Sequence, residues 1–511
     1  MKSVEFVYKA LGRIYMLFSS MIFLWVFFSV VIAVNFLFSV IKFRSEHSRM
    51  LAKNTFLLIA SLFFYAWGGI YYLLIMMSSI LLNFAGGYVI KKGVKTKAQK
   101  KAALVTVVVL NIAVLFFFKY FNMFVVIVES FMETGGGLSG VLDSMLSMEG
   151  TGKLGLAKIV LPIGISFFTF QSMSYVIDVY TDKAELQENI IDFALYVSLF
   201  PQLIAGPIVK YSDVALQLKS RKETIDMFIS GQKRFCYGLG KKVLISNTFA
   251  EIADKIWELD TSTLGAPVAW FGVLAYTLQI YYDFSGYSDM PIGIGRMLGF
   301  QFKENFHYPY TSLSVQEFWR RWHISLSTWF KEYIYIPLGG NRKGKARTYL
   351  NVFIVFLLTG IWHGANFTFI FWGLFYAVIQ IIERMFLGKL LQKNPIKIIN
   401  WIYTMLAVMI GWVYFRSDTI FQANEFIRQM FSFSSSDNSV LSYLSMKVII
   451  TLVVAILFAG FVQRPLRKYY DKIRGKLPVL TADFLLQGAI VVYSIFMLVS
   501  GTYNPFIYFQ F

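Results

Sequence analysis

Long apolar runs separated by short basic segments dominate the pattern along this chain. Each run extends for about 20 residues or more, the length that an α-helix needs to cross the hydrocarbon core of a bilayer. The strands of an outer-membrane barrel would instead alternate in polarity over about 10 residues. The pattern therefore predicts an all-α, polytopic membrane protein.

The runs predict about eleven transmembrane helices, together with re-entrant or interfacial pieces. The run at 55–90 is too long for one span and should turn at Trp67-Gly68-Gly69. Two runs rich in Pro, Gly and hydroxyl groups, 161–171 and 200–207, predict either kinked packing helices or segments that line a cavity. The other predicted spans lie near 15–41, 102–130, 266–283, 398–415, 446–463 and 484–502.

The charge pattern adds a topology to this prediction. The formal net charge is +19, and the basic residues cluster between the apolar runs, as they do in cytoplasmic loops, which argues against nucleic-acid binding. The segment 210–242 and the cluster at 464–476 should therefore face the cytoplasm, which places the C-terminus outside. Cys236 is the only cysteine, so an internal disulfide and a multi-cysteine metal site are excluded, and we expect it to be a packing residue.

Three of the four histidines, His307, His323 and His363, lie between residues 281 and 371. Ionisable groups at membrane depth are costly and usually face a protein interior or a watery cavity. We interpret His323 and His363 as a reaction centre, because a neutral imidazole can take a proton from a hydroxyl and return it to a leaving group. Structural histidines between helices, or a metal site, are alternatives, although no His-x-x-x-His pair or adjacent acidic cluster supports a metal.

Other motifs of the central stretch are expected to serve packing. The run Gly293–Gly299 misses a dinucleotide-binding pattern by one position and is better explained by close helix packing through small residues. No phosphate-cradling or serine-hydrolase motif occurs in a suitable setting. Asp283 and Asp289 lie in an aromatic, apolar run, so each should pair with an arginine such as Arg296 or Arg320.

Four blocks of the central stretch carry more specific information. In their order and spacing they resemble the membrane-bound O-acyltransferase superfamily, specifically its alginate O-acetyltransferase branch. The resemblance covers nearly the whole chain, and Met16–Ser20 is similar to the usual start of such proteins. The blocks are Tyr281–Met290, Glu317–Trp329, Tyr335–Gly344 and Gly360–Asn366.

The resemblance implies three parts. Residues 1–15 would be an N-terminal extension, residues 16–505 a transmembrane domain with its catalytic core at about 281–371, and residues 506–511 an aromatic tail. The tail is similar to the C-terminal motif of small partner proteins in the D-alanyl-transfer branch, where a tyrosine is thought to carry the acyl group. Tyr508 is therefore a candidate acyl relay, with anchoring at the membrane interface as the alternative.

The resemblance also implies a ring of tilted helices around a central tunnel. His363 matches the principal catalytic histidine and would be the general base, while His323 would orient the acceptor or polarise the thioester carbonyl. The co-substrate would be a cytoplasmic acyl thioester, acetyl-CoA or an acylated carrier protein, with no tightly bound cofactor and no metal. The donor-binding candidates are Arg320, Arg321, Asn341 and Arg342, and the tunnel-lining candidates are Trp319, Trp322, Trp362, Asn366, Asp283 and Ser285.

The expected function is transfer of an acetyl group across a bacterial cell membrane for O-acetylation of an extracellular or cell-wall polysaccharide. An extracellular SGNH-type acyltransferase would be the partner that modifies the final sugar. D-alanyl transfer to teichoic acid is the alternative within the superfamily. A transporter or channel with a histidine proton relay is the alternative from another class.

Overall fold

The computed structural model describes residues 16–133, 161–204, 206–432, 438–501 and 507. Within these ranges the chain is helical and forms no β-strand, which confirms the all-α class. The predicted extension 1–15 and all of the tail except residue 507 lie outside the described residues.

The helices of the N-terminal half follow the predicted apolar runs, because a segment in lipid must satisfy its own backbone groups. They are α1 Phe28–Val40, α2 Glu46–Ala66, α3 Ile70–Tyr88, α4 Lys97–Glu133, α5 Ile165–Tyr180, α6 Ile190–Ser198, α7 Phe200–Leu203, α8 Tyr211–Lys219, α9 Ile225–Gly240 and α10 Asn247–Trp257. Wider π-helical turns extend several elements, at Phe23–Phe27, Val89–Gly93 and Lys241–Ser246.

The C-terminal half begins with the long helix that contains the first sequence block. Its helices are α11 Ala266–Met297, α12 Val315–Arg321, α13 Ile324–Phe330, α14 Gly344–His363, α15 Phe367–Ile382, α16 Gly388–Lys393, α17 Lys397–Arg416, α18 Ile420–Met430, α19 Met446–Ile456, α20 Gln463–Ile473 and α21 Leu477–Ser500. Further π-helical turns lie at Lys331–Tyr335, Glu383–Leu387 and Leu457–Phe461, and short 3₁₀ turns at Thr261–Thr263, Pro309–Thr311 and Val440–Tyr443.

Six helices of the described chain are long and apolar enough to cross a membrane. A pair bent by 77°, Met446–Phe461 with Gln463–Ile473, would make seven. The protein is therefore a multi-pass membrane protein, with fewer clear spans than the eleven predicted from sequence. Three more helices, α2, α11 and α14, have 20 residues or more but carry polar side chains along their length. The six spans are Phe23–Val40, Ile70–Gly93, Lys97–Glu129, Phe367–Lys393, Lys397–Arg416 and Leu477–Ser500.

Glycines with positive φ lie at the predicted turn after α2 and in the Pro- and Gly-rich run 161–171. Gly69, with φ +145°, separates α2 from α3 at the expected turn. Gly164, with φ +74°, precedes α5, and a methyl group on it would lie 2.5 Å from the carbonyl oxygen of Leu203. The two Pro- and Gly-containing runs therefore meet backbone to backbone.

Helices α9 and α11 pack through glycines as well. A methyl group on Gly231 would lie 2.5 Å from the carbonyl oxygen of Gly293, and one on Gly238 would lie 2.8 Å from that of Gly286. This contact confirms the interpretation of the run beginning at Gly293 as a small-residue packing surface.

Both carboxylates are paired, and Asp289 pairs with an arginine as predicted, but neither partner is one of the two arginines named from the sequence, Arg296 and Arg320. Asp283 pairs with Lys242 at 2.6 Å, and both side chains are 1% exposed. Asp289 pairs with Arg234 at 2.7 Å and with Lys241 at 2.6 Å. The partners come from α9 and the turn after it, because the glycine contacts bring that segment against α11. Lys242 is thus buried inside the protein, which the basic composition of its segment does not indicate.

Two hydrophobic clusters fill the interior and meet at the central stretch. One is contributed mainly by the N-terminal half and includes Phe167, Phe170 and Trp362. The other contains aromatic residues of α11–α18, including Trp372 and Phe415. The rings of both clusters approach His323 and His363, so these histidines lie where the two halves of the molecule join.

Candidate active site

His363 is the last residue of α14. The chain then turns through extended Gly364 into α15, whose first turn is capped by Asn366: its Oδ1 accepts from the Thr368 N–H at 3.0 Å. The Asn366 Nδ2 also donates to the carbonyl oxygen of Asp418 at 2.8 Å. Asn366, predicted to line a tunnel, therefore fixes the turn that follows the histidine.

Aromatic rings enclose the His363 imidazole. Its centroid lies 5.0 Å from the ring centroids of Trp362, Trp372 and Phe415, and the residue is 5% exposed. Rings at near-perpendicular angles restrict how the imidazole can rotate. The position of His363 is thus set by packing shape and by the end of its helix.

His323 occupies the residue before α13, with φ +44°, a left-handed backbone that non-glycine residues adopt rarely. The strained residue is held by the neighbouring segment: the Ile324 N–H donates to the carbonyl oxygen of Asn305 at 3.0 Å. Such strain is retained where the surrounding structure over-determines it, often at functional sites.

Asn305 also determines which nitrogen of His323 carries the proton. The Ser325 N–H donates to Asn305 Oδ1 at 3.1 Å, so that oxygen must face the histidine. His323 Nδ1 lies 3.2 Å from the same oxygen and, in the neutral ring, must therefore be the donor. The Asn305 Nδ2 donates to Ser288 Oγ at 3.1 Å, which agrees with this orientation. Nε2 is left as a buried lone pair that has no hydrogen-bond partner within the described part of the chain.

Trp362 brings the two histidines into one site. Its ring centroid lies 6.2 Å from His323 and 5.0 Å from His363. Phe284 of α11 also packs against His323, with a centroid distance of 4.6 Å. Trp362 is therefore a neighbour of both histidines, and their joint role in a reaction centre stays a prediction.

A small cavity of about 50 Å³ opens beside His363. Two residues of α4 secure the adjoining helix end: Lys119 donates to the carbonyl oxygen of Trp362, and Tyr120 donates to that of Ile361. These carbonyls belong to the last turn of α14, where no intrahelical N–H reaches them. Within the described residues the cavity is lined by Lys119, Leu161, Pro162, Ile163, Gly164, Ile165, Ser166, Phe167, Ile204, Trp362 and His363.

The predicted donor-binding residues lie away from this cavity. Arg320, Asn341 and Arg342 are exposed, and the Asn341 Oδ1 accepts from Tyr335. Arg321 pairs with Glu317 at 2.6 Å on its own helix. The block Tyr335–Gly344 leads into the start of α14 and packs against Asn351 of that helix, whereas His363 is the last residue of α14.

The other tunnel-lining candidates are all buried. Trp319 and Trp322 belong to the aromatic cluster around α15 and α17, at 5.0 Å from Tyr376 and 4.9 Å from Trp412 respectively. In the described residues, the indole N–H groups of Trp319, Trp362 and Trp372 have no hydrogen-bond partner, and neither has the Ser285 hydroxyl. Asp283 is engaged by Lys242. Among the described residues no three potential metal ligands converge.

Residue 507 is the described part of the C-terminal tail. The Ile507 N–H donates to Asp283 Oδ2 at 2.9 Å, and Ile507 is 4% exposed. The tail at this residue is therefore packed inside the protein. The candidate relay Tyr508 lies outside the described residues.

Sequence reasoning did not single out two residues of the site, Asn305 and Lys119. A signal for Lys119 was present, since it is the one lysine in the apolar stretch 102–130 of α4. Asn305 gives no comparable signal, because it lies in an irregular segment and its role depends on tertiary contact with His323.

Comparison with known proteins agrees with this geometry. Residues 95–418 match the family described as MBOAT, membrane-bound O-acyltransferase. The chain is 40% identical to the probable alginate O-acetylase AlgI of Pseudomonas putida over 97% of this chain and 100% of that protein. For the corresponding protein of Pseudomonas aeruginosa the identity is 42%, over 92% and 85%.

A peptidoglycan O-acetyltransferase of Helicobacter pylori is 35% identical over 63% of each chain. Teichoic acid D-alanyltransferases match over a smaller share of this chain. The converging histidines lie within the part of the chain that the family model covers. This chain belongs to the membrane-bound O-acyltransferase family.

Proposed function

We propose that this protein moves an acetyl group from a cytoplasmic thioester across the bacterial cell membrane for O-acetylation of an extracellular or cell-wall polysaccharide. The observation that carries the proposal is the convergence of His323 and His363 on Trp362, deep in an O-acyltransferase of the membrane. Relatives named for alginate and peptidoglycan O-acetylation support the acetyl group and the polysaccharide class. D-alanyl transfer is less well supported, since its relatives are more distant.

His363 is the general base in this proposal. It lines the cavity beside the helix end, where an acceptor hydroxyl can approach it. His323 orients the acceptor, because its Nε2 lone pair can accept a hydrogen bond from a hydroxyl group. The alternative role for His323, polarising the thioester carbonyl, would need a donor at Nε2, and the Asn305 contact opposes that tautomer.

The donor binds on the cytoplasmic side near Arg320, Arg321, Asn341 and Arg342. These cationic and amide groups suit the phosphates of acetyl-CoA or of an acylated carrier protein. Helix α14 has 20 residues and separates the block containing Arg342 from His363. At about 1.5 Å per residue, the thioester must be carried on a long flexible arm, which both donors have.

A tunnel through a ring of about eleven tilted helices would connect the two faces. The partnerless indole N–H groups of Trp319, Trp362 and Trp372 support it, because buried donors in proteins are almost always satisfied by protein, water or ligand. In this arrangement α21 leaves the membrane on the outer face, so the C-terminus is outside. An extracellular SGNH-type acyltransferase would take the acyl group there and modify the polymer.

Tyr508 would pass the acyl group from the thioester to that partner. The anchor of Ile507 at Asp283 supports this role, since Asp283 adjoins Phe284, which contacts His323. An ester on a phenol is more activated than one on a sugar, because the phenol pKa is near 10. Tyr508→Phe should therefore abolish polymer acetylation while expression is retained. Normal acetylation in that variant would dismiss the relay.

The proposed function is tested with purified protein in liposomes and a radiolabelled acetyl thioester. Wild-type protein should release labelled acetyl from the thioester, and His363→Ala should lose that turnover. His307→Ala is the matched control, because His307 is an exposed histidine outside the site. Equal turnover in His363→Ala and wild type would contradict the proposal, and flux of label without thioester cleavage would indicate a transporter.

A further inference from the structure

Lys119 is a buried basic residue that the proposed function leaves unused. It lies on α4, is 8% exposed, and donates to the carbonyl oxygen of Trp362. Its Nζ is 3.4 Å from Ser166 Oγ. Over the described part of the chain it makes no ion pair with a carboxylate. A basic group placed at membrane depth without a counter-ion is costly, so a function is the expected reason for it.

Lys119 and His363 line the same small cavity. Its volume of about 50 Å³ would hold roughly three or four water-sized groups. An acetyl group has about that size, whereas a drug-sized ligand needs a pocket of roughly 300 Å³ or more. The polar lining consists of Lys119, Ser166 and His363, and most of the remaining lining is apolar, from Leu161, Pro162, Ile163, Ile165, Phe167 and Ile204.

We infer that this cavity is the acyl subsite of the enzyme, and that Lys119 is the donor facing the acyl carbonyl oxygen. The inference rests on the proposed function and names the group that binds at its site. The methyl end of the acetyl group packs against the apolar wall, and the carbonyl oxygen points to Lys119. Since His323 presents a lone pair and not a donor, Lys119 supplies the positive group that the carbonyl needs.

The groups at this site account for each bond and proton of the acyl transfer. The acceptor oxygen attacks the thioester carbonyl carbon and forms a new C–O bond, while its proton moves to His363. The carbonyl oxygen takes the negative charge and is stabilised by the Lys119 N–H. Collapse of this intermediate breaks the C–S bond, and the leaving thiolate takes the proton from His363.

The first experiment compares Lys119→Met with wild type in the liposome assay. Removing one oxyanion donor typically lowers kcat by about 10²–10³-fold, and we expect a loss of that size with the donor KM within about twofold. Lys119→Arg should retain more activity than Lys119→Met, because it keeps a donor. Tyr120→Phe is the matched control, since it removes the neighbouring hydrogen bond to the same helix end.

The outcomes separate a chemical role from a structural one. If Lys119 only stabilised the end of α14, Tyr120→Phe would lose about as much activity as Lys119→Met. Lys119→Met would then also unfold at a lower temperature than wild type. Either that pattern or near-normal kcat in Lys119→Met would overturn the inference. His363→Ala is assayed in parallel: its full activity would refute the proposed function, while its loss beside an active Lys119→Met would refute only the acyl subsite.

A second experiment tests the apolar wall. Ile204→Ala enlarges the cavity, so the ratio of butyryl to acetyl transfer, as kcat/KM, should rise about tenfold or more. Leu199→Ala is the control, because Leu199 is buried nearby and does not line the cavity. If Ile204→Ala does not fold, Ile204→Val should shift the propionyl to acetyl ratio in the same direction. An unchanged ratio in a folded variant, or an equal rise in Leu199→Ala, would overturn the assignment.

Discussion

His323 and His363 share Trp362 as a neighbour, yet the protein holds them by different means. His323 is fixed by hydrogen bonds from a strained backbone position, through Asn305 and Ser325. His363 is fixed by aromatic rings and by the end of α14, and it borders a cavity. The hydrogen bonds around His323 set the position of its proton before substrate binds. The aromatic rings around His363 set its location beside the cavity. Identical side chains thereby receive separate tasks.

The largest effect should come from removing the rings themselves. His363→Ala should lower kcat by about 10³-fold and His323→Ala by about 10²-fold, since general base catalysis contributes roughly 10²–10⁴-fold. Because both act on one chemical step, the double variant should be no slower than about the slower single variant. Steady-state kinetics with the acetyl thioester measure this. If the fold-loss of kcat in the double variant equalled the product of the two single losses, the two rings would act in independent steps.

The buried ion pair beside the His323 side of the site gives the next effect. Lys242→Met leaves the Asp283 carboxylate buried without its cation, which should destabilise the protein by about 3–5 kcal/mol. Unfolding in detergent is the measurement. Lys255→Met is the control, since its pair with Glu251 is exposed and should be worth less than about 1 kcal/mol. Replacing both Lys242 and Asp283 by apolar residues should recover much of the loss.

A third test alters the tautomer of His323 without touching the ring. Asn305→Leu removes the oxygen that accepts from Nδ1, so kcat should fall about tenfold or more. Asn305→Asp keeps an acceptor oxygen and should remain more active than Asn305→Leu. The measurement is kcat of both variants at the same donor concentration. Equal activity in the two variants would show that the proton position of His323 does not matter.

The smallest effect is expected at Ser325. Its hydroxyl donates to Asn305 Oδ1 at 2.9 Å and accepts from the Ile208 N–H at 3.0 Å. Ser325→Ala leaves the Ser325 backbone N–H in place, so Asn305 should stay oriented and kcat should fall only about threefold to fivefold. A loss of kcat as large as that of Asn305→Leu would mean that the Ser325 hydroxyl, and not the Ser325 backbone N–H, keeps Asn305 in place to position His323.

The sequence predicted the helical class, the turn at Gly69, the irregular run that contains Gly164, and the pair of histidines, because each leaves a local signal. Apolar length, glycine and rare intramembrane polar residues can be read one segment at a time. The partners of Asp283 and Asp289 could not be predicted this way. Lys242, Lys241 and Arg234 reach them only because glycines let α9 approach α11 closely, which is a property of two segments together.

The polar support of the site escaped prediction for a related reason. Asn305 and Lys119 lie 18 and 243 positions from the residues they contact, so even the apolar surroundings that single out Lys119 do not reveal its partner. Six helices of the described chain, or seven with the bent pair, are apolar enough to be recognised as spans, so the expected eleven are not all recognisable by composition. Helices such as α11 turn polar groups inward against other helices, so their composition no longer resembles a lipid-facing span.

The glycine contacts between α9 and α11 have a consequence for observing the enzyme in action. Gly231 and Gly238 are seven positions apart on α9, and Cys236, the only thiol in the sequence, lies between them along the helix and is 5% exposed. The unmodified protein therefore carries a natural reporter on α9, the helix that the glycines hold against α11. If α9 keeps its position through the acyl cycle, a maleimide should label Cys236 equally slowly with and without donor, and accelerated labelling would reveal that α9 moves.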